Sequence, residues 1–321
     1  MSQKAVATEV EKPQPQVISL PSLQVSNIYI AGISSGAFMV QQMQVAYPEL
    51  FAGVGMIAGG VWSCSDGDWQ RASRVCMKDP NAIDLSKIFL KLDDLVTQKK
   101  IGEISKLKNH RSFIFQGQKD SVLAPASAVV LEQFYQKLGA PYFAVTHLPA
   151  GHGYPTNKSD KECGLSQLPW LINCEYDLSG HLLQYWLGSL QPAEKQKNES
   201  LYYFNQKEFA SVESKVSDVG RVYIPEYCQK NKCHLVMMLH GCLMGPAIVG
   251  DQFVVGTELL DWAEGNRFVV VFPATQRSAR NPNGCWDWFG YTGEDYLLRD
   301  GPQMLFLKNI ISRINSGGKP H

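Results

Sequence analysis

What this 321-residue sequence has little of excludes several classes of protein. Charge of one sign is not in excess: 30 Lys and Arg face 30 Asp and Glu, and no basic block stands out. That argues against nucleic acid or an anionic membrane surface as the main partner, because both call for a clustered positive field. No apolar run reaches the ~20 residues of a membrane-spanning helix, so no membrane span is expected. Residues 1–16, MSQKAVATEVEKPQPQ, are polar and proline-containing. They lack the apolar stretch of a signal peptide and are expected to form a disordered leader. There is no internal repeat and no low-complexity tract.

Cysteine, by contrast, is present eight times, an even number, and several of the eight lie in polar, loop-like surroundings: Cys64, Cys76, Cys163, Cys174, Cys228, Cys233, Cys242 and Cys285. Read as disulfides, they imply an oxidising compartment. A secreted or periplasmic location is therefore expected, with the export signal removed from or not included in this chain. The alternatives are free thiols or a metal site. Cys228 and Cys233, with His234, His240 and Cys242 nearby, do not match the short paired spacing of zinc ribbons and fingers, so no metal is expected.

Apolar runs at 28–31, 53–58, 112–116 and 142–147 read as buried strands, and amphipathic stretches at 37–46, 85–97 and 126–138 lie between them. This alternation predicts an α/β fold, a mostly parallel central sheet with helices on both faces. A polar loop at 156–175 carries Cys163 and Cys174. A helix is expected at 181–190, a linker at 191–200, strands at 221–225, 233–241 and 267–273, and a closing helix at 303–314.

Between the first strand and the first helix stands Gly32-Ile33-Ser34-Ser35-Gly36. About one chain in ten of this length carries G-x-S-x-G by chance at ordinary Gly and Ser usage, so the context must decide. A strand-to-helix elbow holds a nucleophilic serine in a strained backbone geometry that only very small neighbours permit, which points to Ser34. Ser35 is the rival hydroxyl, but it stands one place off the centre of the motif, where its backbone N–H is the more useful group. Of seven histidines, His152 follows a strand in the Gly-flanked loop LPAGHGYPT and is the candidate general base. Such loops at the C-terminal edge of a parallel sheet gather catalytic groups. His147 and His234 lie in strand-like runs. Asp120, just past the strand at 112–116, is the candidate orienting carboxylate; its bland reading is a helix or turn cap. The chain order Ser34, Asp120, His152 is that of α/β-hydrolases.

An oxyanion hole in such enzymes takes one N–H from the residue after the nucleophile and another from a loop that often begins His-Gly. Here His240-Gly241-Cys242 lies far downstream of the serine. Circular permutation accounts for this: placing 201–318 ahead of 17–190 restores the usual order. It makes 17–318 one catalytic domain, with a nucleophile, acid and base part (17–190) and an oxyanion-loop part (201–318), and it requires the two ends to lie close together.

Through GISSGAFM, GQKD, GHGYPT, NCEYDLSG, LHGCL and NPNGCWDWFGY, the chain resembles the extracellular polyhydroxybutyrate (PHB) depolymerases of the single-domain, circularly permuted type known from fungi. The resemblance implies Ser34 as nucleophile, Asp120 as acid, His152 as base, and the N–H groups of Ser35 and Cys242 as oxyanion donors. It implies the pairs Cys64–Cys76, Cys163–Cys174, Cys228–Cys233 and Cys242–Cys285, one of 105 connectivities open to eight cysteines. It also places a substrate-contacting tryptophan at Trp288, with Trp286 nearby, although both could be core aromatics. The long Lys-rich segment 77–110 departs from the family pattern.

The expected chemistry is two-step hydrolysis of a short-chain polyester or its hydroxyacid oligomers by a monomer that needs no cofactor. A feruloyl or acetyl esterase acting on plant polysaccharide is the nearest alternative. A non-catalytic binding protein on a hydrolase scaffold is the alternative from another class.

Overall fold

The computed structural model describes residues 17–318; the expected leader, 1–16, lies outside the described residues. The strands are β1 (Val17–Ile18), β2 (Val25–Ile33), β3 (Gly53–Ile57), β4 (Arg111–Phe115), β5 (Tyr142–Val145), β6 (Tyr154–Pro155), β7 (Leu171–Ile172), β8 (Leu201–Asn205), β9 (Val219–Tyr223), β10 (Cys233–Leu239) and β11 (Phe268–Phe272). Nine of them form one sheet in the order β1-β8-β9-β11-β10-β2-β3-β4-β5, while β6 and β7 pair separately. From β11 across to β5 every neighbour is parallel. Only β9 runs against its neighbours β8 and β11.

A parallel sheet of this kind must be covered on both faces, which is why its strands are continuous apolar runs. Successive residues of β2 show the division: Ile28 and Ile30 enter one core, Tyr29, Ala31 and Ile33 the other. The first core takes the helices Ser35–Ala46, Leu85–Thr97, Ala126–Leu138 and Pro302–Ile314; the second takes Leu178–Leu187 and Leu259–Asn266. Both cores draw residues from before and after 191–200.

Counted from β8, and passing from the closing helix back to β2, the strands lie in space as first, second, fourth, third and then fifth to eighth, with the second antiparallel. This is a circularly permuted α/β-hydrolase fold. The ends meet as permutation requires. Leu23 N–H donates to Ile314 O at 2.7 Å, and Ser22 Oγ lies 2.6 Å from Ser316 Oγ.

One expectation, the linker at 191–200, changes in detail. Residues 191–200 run along the helix Leu259–Asn266, where Glu194 N–H donates to Asp261 O (3.0 Å) and Gln196 N–H to Asp261 Oδ1 (2.9 Å). The Lys-rich segment 77–110 carries the helix Leu85–Thr97, which Asp84 caps through the N–H groups of Ser86 and Lys87. Ile88, Leu92 and Leu95 bury its inner face, and the lysines occupy solvated positions around them.

Candidate active site

The elbow follows β2 directly. Ser34 has φ 56° and ψ −121°, a strained conformation for a residue with a side chain, and Ser34 N–H donates to Ile57 O at 2.9 Å. The glycines on either side are required by close approach. A Cβ at Gly32 would lie 2.6 Å from the backbone of Gly36, and one at Gly36 only 2.5 Å from Leu239 O and 2.6 Å from His240 O. The helix Ser35–Ala46 begins immediately, so the N–H of Ser35 has no intrahelical acceptor and the positive end of the helix dipole lies behind the serine.

Asp120 and His152 come from the loops after β4 and β5, and the structure brings them together. His152 Nδ1 lies 2.7 Å from Asp120 Oδ2, both side chains being buried. The same carboxylate accepts the N–H groups of Val122 (2.9 Å) and Leu123 (2.8 Å) on Oδ1 and Gln116 Nε2 (3.0 Å) on Oδ2. An acceptor-only carboxylate forces the imidazole proton onto Nδ1. Nε2 then carries the lone pair. His152 and Ser34 line the same cleft, of about 160 Å³. No hydrogen bond joins them in this structure; such contacts often tighten only when substrate binds.

The loop after β10 supplies the other wall. A Cβ on Gly241 would lie 3.1 Å from Ser34 Cβ, which sets this turn against the serine elbow, and the next residue, Cys242, lines the cleft with Ser35. Cys242 is bonded to Cys285. The other disulfides join Cys64 to Cys76, Cys163 to Cys174 and Cys228 to Cys233, and no free cysteine remains among the described residues.

Trp288 lines the cleft and stacks on Phe38, with ring centroids 4.2 Å apart. Trp286 does not line it. Its side chain is fully buried beside His240, with ring centroids 5.6 Å apart, and only its backbone N–H reaches the site, donating to Ser35 Oγ at 3.2 Å. The expectation that Trp286 contacts substrate is therefore corrected: its ring packs in the core, while the chain turns around Asp287 and brings Trp288 to the cleft.

Sequence reasoning missed four contributors. Trp170 lines the cleft, and its ring lies edge-on to that of His152 at 5.8 Å. Trp69, half exposed, and Met77 form part of the rim. Asp287 holds the turn that carries Trp288: Oδ1 accepts the N–H groups of Gly290 (2.7 Å) and Tyr291 (3.0 Å), and Oδ2 accepts Thr292 N–H (2.7 Å) and Thr292 Oγ1 (2.6 Å). Burial pushes the Asp287 carboxyl above its ordinary value, and these donors pull against it.

A permuted parallel sheet, a strained serine at the strand-to-helix elbow and a buried His–carboxylate pair beside it define an α/β hydrolase. The comparisons agree with this class. Residues 16–175, the span that holds Ser34, Asp120 and His152, match the prolyl oligopeptidase family. The chain is 32% identical over 311 residues to a poly(3-hydroxybutyrate) depolymerase of Delftia acidovorans, covering 94% of this chain and 62% of that relative's length. It is 28% identical over 330 residues to a polyhydroxybutyrate depolymerase of Talaromyces funiculosus, covering 95% of this chain and 94% of the relative. The crystal structure of PHB depolymerase from Penicillium funiculosum superposes with a TM-score of 0.84 at 26% identity, covering 94% of this chain and 100% of that one. A PHB depolymerase complexed with an R3HB trimer matches equally well. The chain is similar over most of its length to proteins named as PHB depolymerases, spans less than two thirds of the Delftia relative, and shares the fold of the solved PHB depolymerases.

Proposed function

We propose that the chain is a serine esterase that hydrolyses polyhydroxybutyrate or related short-chain hydroxyalkanoate polyesters and their oligomers. The observation that carries this reading is the 2.7 Å contact between His152 Nδ1 and Asp120 Oδ2, from which the tautomer follows. With Asp120 holding the proton on Nδ1, the free lone pair on Nε2 belongs to the ring that shares a cleft with Ser34. Ser34 Oγ attacks the ester carbonyl as Nε2 takes its proton, and Asp120 stabilises the imidazolium that forms. The N–H groups of Ser35 and Cys242 receive the oxyanion, and losing one such donor in other enzymes costs about 10²–10³ in rate. The imidazolium then protonates the departing alkoxide. Water, deprotonated by His152, releases the acyl group and restores Ser34.

Ester is favoured over other acyl substrates by the apolar walls of Trp288, Trp170 and Met77, and by what the homologues are named as hydrolysing. Residues 17–318 act as one catalytic domain in this reading, working as a monomer. The four disulfides support a secreted or periplasmic location.

The test is release of soluble products from a polyhydroxybutyrate suspension, run beside feruloylated and acetylated sugar esters and a proline-containing peptide. Polyester turnover well above the others is expected. Preference for a sugar ester would keep the serine chemistry and replace the substrate, and preference for the peptide would move the protein toward the peptidases of its matching family.

A further inference from the structure

His240 takes no part in the mechanism above, yet it is buried at the base of the oxyanion turn. Its Nδ1 lies 2.7 Å from Gly241 O, an acceptor, so Nδ1 must carry a proton. Its Nε2 accepts the N–H of Thr275 at 3.1 Å, so Nε2 must not. The two partners together permit a single form of the ring, the neutral Nδ1–H tautomer. The Gly241–Cys242 peptide is trans, because the one cis bond among the described residues is Leu168–Pro169. In a trans peptide the C=O and the following N–H point in opposite directions. A hydrogen bond that anchors Gly241 O away from the cleft therefore aims Cys242 N–H toward it.

We propose that His240 is a positioning residue for catalysis: by donating to Gly241 O and accepting from Thr275 N–H, it fixes the peptide that presents the Cys242 N–H to the oxyanion. This rests on the proposed oxyanion role of Cys242. The anchor is itself held at the far side. Thr275 Oγ1 donates to Gly284 O (2.6 Å), and Leu243 N–H donates to Asn283 O (2.8 Å), so the turn is tied to the segment that carries Cys285. Burial pushes the ring's pKa down to about 4, which keeps it neutral across the range in which His152 must work.

Two variants and one measurement on the wild type test the role. His240→Ala removes both bonds and is expected to lower kcat on p-nitrophenyl butyrate about tenfold to a hundredfold, with KM changed less than threefold. It should weaken a trifluoromethyl ketone inhibitor, whose hemiketal oxyanion needs the same donor, by the same factor. His240→Asn keeps a donor where Nδ1 stood and is expected to recover most of kcat. A purely structural role would lower thermal stability without the matched losses in kcat and inhibitor affinity, and that result would overturn the proposal. Should both variants fail to fold, ¹⁵N spectra of the labelled wild type decide. The Nδ1–H tautomer, neutral down to about pH 4, is expected, and an Nε2–H ring or one titrating in the ordinary histidine range would overturn it. If Ser34→Ala is as active as the wild type, the underlying reading of the site falls. If Ser34→Ala is inactive while His240→Ala keeps its kcat, the positioning role alone falls.

Discussion

Replacing Asp120 with Asn changes one atom and puts the tautomer argument at risk. Asp120 Oδ1 accepts two backbone N–H groups, the buried one of Leu123 and the partly buried one of Val122, so an asparagine must place its carbonyl oxygen there. Its NH₂ then faces His152 Nδ1 and also Gln116 Nε2, whose amide must turn to present its oxygen. The reverse orientation would leave both donors without an acceptor, at about 1–3 kcal/mol for the buried Leu123 N–H and less for Val122. The cheaper response is for the imidazole proton to move to Nε2, which lets Nδ1 accept and removes the base from the cleft. In a serine protease the same change lowers kcat about 10⁴-fold. A loss of that size corresponds to about 5.4 kcal/mol of barrier at 1.36 kcal/mol per decade. The expected result for Asp120→Asn on p-nitrophenyl butyrate is therefore a kcat near 10⁻⁴ of wild type, with KM little changed and the far-ultraviolet circular dichroism intact. A folded variant within tenfold of wild type would refute the tautomer argument and Asp120's place in the site.

Three further outcomes can be measured on the folded protein. Gly36→Ala drives a Cβ into Leu239 O and His240 O and is expected to cost about 3 kcal/mol in denaturant unfolding; wild-type stability would mean that the elbow can open. The double variant Cys242→Ser, Cys285→Ser releases a bridge that spans 43 residues. It should lose up to about 4 kcal/mol of stability and about 10² in kcat, whereas an unchanged kcat would detach the bridge from the oxyanion turn. Acid should destabilise the fold through His240 and His110, whose values burial lowers in the native state. The unfolded chain binds protons that the native rings refuse, so stability falls as pH drops from about 6.5 toward about 4, by about 3 kcal/mol from His240 alone. Flat stability over that range, measured by urea titration, would contradict the burial argument.

The central strands were legible because each is an unbroken apolar run: 53–58 and 112–116 fall within a residue of β3 and β4. The helices at 85–97 and 126–138 were found to the residue, since their periodicity is strong and their ends carry Asp84 and Gly139. β8 was missed because it lies near the sheet edge. Its residues, Leu201 to Asn205, are half-buried apart from Phe204 and show no clear alternation. The permutation could be read from the misplaced His-Gly pair, because chemistry fixes which loop must meet the serine whatever the chain order. Trp170, Trp69 and Met77 could not be found in this way. They stand in irregular segments or, for Trp69, in a single short helical turn, and their arrival at the cleft depends on how these segments cross, with Cys163–Cys174 and Cys64–Cys76 setting two of the crossings. Asp287 resembled any turn aspartate until its five donors were assembled around it.

The most direct test of the central claim compares wild type with Ser34→Ala on a polyhydroxybutyrate suspension, following turbidity and the release of soluble hydroxybutyrate products. The account predicts clearing by the wild type and a variant with at most ~10⁻⁴ of that rate. A Ser34→Ala protein that clears the suspension at a rate comparable to wild type would contradict it and leave the elbow as a turn.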